Sequence, residues 1–140
     1  MPTTTTVLCP WSDTYSVQIG IIDSQHKSLV NMVNELHQAM LGGMGKQQLG
    51  IILSNLIKYT QSHFKTEENL MQSHGYPDYM SHKSAHDSLT KTVLDLQDRF
   101  RRNEVGLTVE AMDFLKNWLT NHILGSDKKF APFLHAKGLR

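Results

Sequence analysis

Histidine is unusually frequent in this sequence, with eight residues in a chain of 140. Most of these histidines, and one glutamate, occupy apolar positions of helix-like segments, where burial without a polar partner costs roughly 2–7 kcal/mol each. A metal centre is a partner that could satisfy all of these side chains together, because imidazole nitrogens and carboxylate oxygens are both common metal ligands. The polar residues at apolar positions are His26, His63, Glu67, His82, His86 and His122.

The spacing of these residues supports the metal interpretation. His63 and Glu67 are four residues apart, as are His82 and His86, and side chains at that spacing lie side by side on one face of a helix. A single histidine at such a position is more often an ordinary core or surface residue. Here a histidine occupies an apolar position in each of four separate segments, which ordinary packing does not explain.

With Asp127 the candidate set reaches seven residues, which indicates two metal ions. Seven ligands are too many for one ion, since structural zinc normally takes four. Two ions that share the carboxylates fit better, and a bridging hydroxide would leave the buried cluster only slightly positive. Imidazole and carboxylate donors without thiolate suit iron or manganese, and the excess of imidazole favours iron.

The segments that carry these residues have the apolar periodicity of amphipathic helices. In the first segment His26, Leu29 and Val33 recur at steps of three and four residues, and three later segments repeat this pattern. Glycine and proline separate the segments, most clearly at Gly75 and Pro77. The sequence therefore predicts an all-α protein, an antiparallel up-down-up-down four-helix bundle with short loops.

We expect one domain over residues 1–140, with an extended N-terminal arm over 1–22, the bundle over 23–127 and a C-terminal segment with a short helix over 128–140. Asp23 and Thr108 are the expected caps of the first and fourth helices. Asp127 follows His122 by five residues, about 500° of helical rotation, so a regular helix would not direct both inward. We therefore predict a distortion near Gly125.

Composition excludes several classes of function. Apolar residues make up 39% and charged residues 19%, as in a globular protein, and a net charge of +1 without a basic face argues against nucleic acid. No apolar run of about 18 residues predicts membrane insertion, and the Thr-rich start does not resemble a secretion signal. Cys9, the single cysteine, is expected in a flexible leader, and a cytoplasmic location is expected.

Several segments together resemble the hemerythrin family, in particular its bacterial single-domain members. The resemblance extends from Trp11 to about Pro132, and all seven candidate residues occur in the family's order and spacing. The segments that carry it are Trp11, Ile22-Asp23-Ser24-Gln25-His26, His63-Phe64-Lys65-Thr66-Glu67-Glu68, Gly75-Tyr76-Pro77 with His82 and His86, and Trp118-Leu119-Thr120-Asn121-His122-Ile123 with Asp127.

The resemblance implies two non-haem iron ions, Fe2+ or Fe3+, with a bridging hydroxide or oxide. It implies that one iron is bound by His82, His86 and His122 and the other by His26 and His63, while Glu67 and Asp127 bridge the pair. The second iron would then have an open position at which O2 binds and is held as hydroperoxide. The implied function is reversible O2 binding for storage, delivery or buffering, without enzymatic turnover.

Reversible binding requires a dry pocket, because water and anions compete for an open metal position. Leu119, one turn before His122, is the side chain expected nearest to O2, with Phe64, Trp118 and Ile123 as further shielding. Glu68 lies on another side of its helix from Glu67 and is expected to be solvated.

Two other classes of function stay open at this point. One is a di-iron oxidase or peroxidase, although such bundles use a donor set richer in carboxylate. The other is a sensor of O2, redox state or nitric oxide that acts through a partner. A partner protein that consumes O2 is also compatible with a storage or delivery role.

Overall fold

The computed structural model describes residues 8–104 and 109–139, and within these ranges the regular structure is entirely helical. The bundle helices are α1 (Gly20–Leu41), α2 (Lys46–His74), α3 (Tyr79–Arg101) and α4 (Val109–His122), and α5 (Lys128–Ala136) follows. The predicted four-helix bundle is confirmed. The expected cap at Thr108 lies outside the described residues.

The turn between α2 and α3 forms where the sequence predicts it. Gly75 has a φ of 70°, the left-handed conformation that closes a helix and that glycine adopts without steric cost. The N–H group of Tyr76 then donates to the carbonyl of Met71, which satisfies a free carbonyl at the end of α2. This compact turn sends α3 back along α2, so the segments of these two helices that carry the predicted metal ligands face each other.

Two apolar clusters form the core, and the predicted metal-binding residues lie between them along the helices. In α1, His26 lies between Ile22 of the smaller cluster and Leu29 of the larger one. In α2, the smaller cluster contributes Met71 and the larger one Leu56, on either side of the predicted ligands. The bundle thus encloses a polar layer with apolar packing above and below it.

The N-terminal arm differs from the prediction in how it joins the bundle. α1 begins at Gly20, and Asp23 is therefore not its cap but lies in its first turn. The Asp23 carboxylate accepts hydrogen bonds from the Val17 N–H (2.8 Å) and the Ser16 hydroxyl (2.6 Å). A side chain inside the helix thus fixes the arm that precedes it, an arrangement that local capping rules do not reveal.

Cys9 also differs from the prediction, because it is fully buried rather than part of a flexible leader. Its N–H donates to the Asn34 side-chain carbonyl, and its own carbonyl accepts from the Asn34 amide, both at 2.8 Å. The paired bonds hold the arm against α1. None of the helices in the described ranges combines the length and apolar character of a membrane span.

The distortion predicted near Gly125 is confirmed. Residues Ile123–Asp127 form a π-helical turn between α4 and α5. The backbone at His122 and Lys128, on either side of this turn, is right-handed helical, so the chain continues in one helical path. A π-turn pairs residues five apart, which brings Asp127 onto the face of the helix that carries His122.

Candidate metal centre

All seven residues predicted to bind metal are buried in the polar layer. α1 contributes one of them, α2 and α3 two each, α4 one and the π-turn one, so every helix of the bundle takes part. The residues, in chain order, are His26, His63, Glu67, His82, His86, His122 and Asp127.

The seven side chains form two overlapping groups, in each of which the potential ligand atoms all lie within 4.8 Å of one another. One group has three histidines and the other has two, and the same two carboxylates belong to both. This division matches the one that the sequence resemblance implies. The first group is Glu67, His82, His86, His122 and Asp127, and the second is His26, His63, Glu67 and Asp127.

The two carboxylate oxygens of Asp127 face different groups of histidines. Oδ1 lies 3.1 Å from Nε2 of both His82 and His122. Oδ2 lies 2.7 Å from Nε2 of His26 and 4.0 Å from that of His63. A carboxylate with this orientation offers one oxygen to each of two neighbouring sites.

Glu67 is oriented in the same way. Its Oε1 lies 2.9 Å from Nε2 of His86, in the three-histidine group. Its Oε2 lies 3.4 Å from Nε2 of His63, in the two-histidine group. Both carboxylates therefore span the two groups, one from α2 and one from the π-turn.

Many of the inward-facing atoms have no hydrogen-bond partner despite their burial. These atoms include Nε2 of His26, His63, His82 and His122, Oε2 of Glu67 and both carboxylate oxygens of Asp127. A short distance alone, such as the 2.7 Å between Nε2 of His26 and Oδ2 of Asp127, does not make a hydrogen bond. Buried polar atoms are rarely left in this state, and lone pairs directed at a common point fit metal ions. The donor set fits the iron that the resemblance implies.

Two histidines of the layer, His26 and His122, have strongly raised pKa values. Burial alone lowers the pKa of His26, but the neighbouring carboxylates of Asp127 and Glu67 outweigh it and raise that pKa to about 9. For His122 burial also lowers the pKa, and the same two acids raise it to about 10. Burial and Glu67 raise the pKa of Asp127, but His122 and His26 lower it to about 2.

Two of the histidines form hydrogen bonds through Nδ1, the ring nitrogen that faces away from the layer, to side chains that the sequence analysis did not assign to the site. Nδ1 of His63 donates to the Gln25 amide oxygen at 2.6 Å, and Nδ1 of His86 lies 2.9 Å from the Glu68 carboxylate. Such bonds fix the ring so that its Nε2 lone pair points inward.

The expectation that Glu68 is solvated is therefore wrong. Its side chain is only 16% exposed, because one residue beyond Glu67 the helix face turns from the bundle interior toward α3. Gln25 lies beside His26 and reaches α2 in the same way. A search for acceptors one residue from each predicted ligand, on the side facing a neighbouring helix, would have found both.

A small cavity of about 10 Å3 adjoins His122, and three of the residues expected to shield the site line it. Phe64 also stacks on the His86 ring with 3.9 Å between ring centroids. Ile123 is buried, but it packs in the larger apolar cluster and does not belong to the lining. The lining residues are Leu29, Thr60, Phe64, Leu89, Trp118, Leu119 and His122.

Trp118 and Leu89 also border a wider groove between α3 and α4, with a volume of about 570 Å3. This groove reaches His122 from the outside. The indole N–H of Trp118 donates to the Leu89 carbonyl at 3.1 Å, which joins α4 to α3. These two residues therefore form a wall between the outer groove and the inner cavity.

Similarity to known proteins extends over most of the chain. A Bacteriohemerythrin from Methylococcus capsulatus is 38% identical over 122 residues, which cover 87% of this chain and 92% of that protein. A Bacteriohemerythrin from Pseudomonas aeruginosa is 37% identical over 119 residues, which cover 84% of this chain and 75% of that protein.

Solved structures give the same result. The structure of a wild-type hemerythrin matches with a TM-score of 0.84 and 38% identity, and the match covers 91% of this chain and 98% of that one. A hemerythrin variant with a leucine replaced by alanine matches with a TM-score of 0.86 and 36% identity over 92% of this chain and 98% of that one. The family model described as the hemerythrin HHE cation binding domain matches residues 17–134, and the chain belongs to the hemerythrin family.

Proposed function

We propose that this protein binds O2 reversibly at a pair of non-haem irons, for storage, delivery or buffering of oxygen. Membership of the hemerythrin family and similarity to proteins named Bacteriohemerythrin support the general function. The observation that carries the proposal is the orientation of Glu67 and Asp127, each with one oxygen toward each group of histidines. Two carboxylates placed in this way suit two ions rather than one.

The three-histidine group of His82, His86 and His122 would hold one iron, and His26 with His63 would hold the other, with both carboxylates shared. The second iron would have one imidazole fewer, which leaves a position for a small ligand. When bound, the two irons would supply the electrons that hold O2 and take them back on its release. The protein itself contributes geometry, charge and the exclusion of water.

The apolar residues around the site exclude water from it. Phe64 covers the His86 ring, and Leu119 and Trp118 line the small cavity beside His122. A cavity of about 10 Å3 is at the lower limit for one water molecule, and apolar walls offer such a molecule no hydrogen bonds. Water and anions are thus kept from the position that O2 would take.

The donor set favours O2 binding over oxidase or peroxidase chemistry. Di-iron bundles of the ferritin-like type use more carboxylates than histidines, and anionic ligands stabilise high oxidation states of iron. Here five imidazoles, which would be neutral once they bind metal, accompany two acids. We therefore propose that the bound O2 is released unchanged rather than consumed.

The test of the function is repeated oxygenation of the iron-loaded, anaerobically reduced protein. We expect a visible ligand-to-iron charge-transfer band when O2 is admitted and its disappearance under argon, over several cycles. Optical spectra combined with an O2 electrode give the amount released per chain. A band that decays to a stable ferric spectrum without return of O2 would indicate an oxidase instead.

The ligand assignment predicts that His82→Ala loses iron. Without that imidazole the three-histidine group cannot complete its coordination, so we expect clearly fewer irons per chain by elemental analysis after reconstitution. His74→Ala is the matched control, since His74 lies on α2 outside the layer and bonds to the Leu70 carbonyl. Equal iron content in both variants would contradict the assignment.

The raised pKa values of His26 (about 9) and His122 (about 10) predict that metal binding is pH-dependent. Near pH 7 both imidazoles are protonated in the metal-free protein, and a metal must displace these protons to bind. Apparent Co2+ affinity should therefore fall as pH is lowered from about 8 to about 6. Chelator competition across this range measures it, and a constant affinity would contradict the protonation of His26 and His122.

The shielding role predicts that Leu119→Ala oxidises faster. A smaller side chain admits water to the cavity, so we expect a severalfold higher rate of conversion of the oxygenated form to the ferric form, followed optically. Leu115→Ala is the control, because Leu115 is equally buried in the larger apolar cluster but does not line the cavity. If both variants oxidise at the same rate, Leu119 has no specific role in shielding.

A further inference from the structure

The two halves of the metal centre differ in the charge behind their histidines. In the three-histidine half, His86 is backed by the carboxylate of Glu68 at 2.9 Å. In the two-histidine half, His63 is backed by the neutral amide oxygen of Gln25 at 2.6 Å. The Gln25 amide is itself oriented by a hydrogen bond of 3.4 Å to the Thr66 hydroxyl.

This difference in charge affects how strongly each imidazole donates to a metal. A carboxylate that accepts the Nδ1–H attracts the proton and increases the electron density at Nε2, whereas an amide mainly orients the ring. The Glu68 side chain is only 16% exposed and the His86 side chain 1%, so solvent screens this interaction only in part. Stronger donation stabilises the higher oxidation state of the metal.

We infer that Glu68 is a positioning residue that makes the two irons unequal, so that the iron held by His82, His86 and His122 is oxidised first. The inference rests on the proposed two-iron function. With iron bound, this oxidation would transfer one electron from Fe(II) to a one-electron acceptor such as a redox mediator and leave Fe(III). The Nδ1 proton of His86 would stay shared with Glu68.

The surroundings of Glu68 supply a matched control. A shallow surface pocket of about 140 Å3 is lined by Glu68, His86 and Asp87, among others. Asp87 follows His86 in sequence, but its carboxylate points to solvent and pairs with Lys83 at 3.0 Å. Loss of the Asp87 charge thus changes the local field without removing a contact to a metal-binding histidine.

The experiment compares the two one-electron midpoint potentials of the iron-loaded full chain, by mediated spectroelectrochemistry, with those of three variants. Glu68→Gln keeps an acceptor but removes the charge. We expect the first oxidation to become harder, with a ferric-to-ferrous ratio at fixed potential about tenfold lower, or about 59 mV for one electron. Gln25→Glu should make the second oxidation easier and bring the two steps closer, and Asp87→Asn should change neither.

A readout without iron separates positioning from redox function. We expect Glu68→Gln to bind Co2+ about 10–100-fold more weakly than the unmodified chain, as is typical when the partner of a metal-binding histidine is lost. Asp87→Asn should bind Co2+ with unchanged affinity. Equal Co2+ affinities in Glu68→Gln and the unmodified chain would contradict the positioning role.

Unchanged potentials in an iron-loaded Glu68→Gln protein, or an equal shift in Asp87→Asn, would overturn the inference. If Glu68→Gln does not load iron, Gln25→Glu decides: closer potentials support the inference and unchanged ones contradict it. Failure of the proposed function gives a different result. If the unmodified protein does not release O2 but the potentials shift as expected, the proposed function is contradicted, whereas the inference that Glu68 makes the two irons unequal is supported.

Discussion

The structure depends on the burial of seven polar donors between two apolar clusters. Without hydrogen-bond partners, atoms such as Nε2 of His82 and both oxygens of Asp127 are costly in a dry interior. Ions that accept their lone pairs would turn this cost into stabilisation, so in our account metal binding is part of folding. In the same account, the apolar clusters strengthen such bonds and keep water from the position that O2 would take.

The placement of the two carboxylates between the groups of histidines follows from the geometry of two helices. Glu67 is placed one turn after His63 by the regular geometry of α2, so its oxygens reach both groups. Asp127 reaches the same two groups of histidines only because the π-turn widens the helix after His122. The helical path continues into α5, which closes the layer with Phe130 of the smaller apolar cluster. A local departure from regular helix thus completes the centre without a loop.

Much of this could be predicted from the sequence, because the relevant signals are periodic. The steps of three and four residues define the helices, and the polar exceptions at His26, His63 and His86 single out the buried layer. The five-residue spacing between His122 and Asp127 does not place both side chains on one face of a regular α-helix, so helix geometry alone predicts a distortion between them. Residues that violate a regular pattern are the ones most easily read from a single sequence.

Other features depend on contacts between elements and carry no periodic signal. Glu68 and Gln25 look like surface residues until a neighbouring helix is placed beside them. The buried position of Cys9 depends on Asn34, which is 25 residues away in sequence. Ile123 is apolar and next to His122, and it packs in the larger apolar cluster, but unlike Leu119 it does not line the cavity.

The central claim, that two carboxylates hold a pair of irons within one buried layer, is tested most directly by X-ray absorption spectroscopy of the iron-loaded protein. The account predicts nitrogen- and oxygen-rich coordination together with an iron–iron scattering contribution, at a separation typical of two-metal sites, about 3.5–4 Å or somewhat less where an oxygen bridges. A spectrum that shows isolated iron, without any iron–iron contribution in a fully loaded sample, would contradict it.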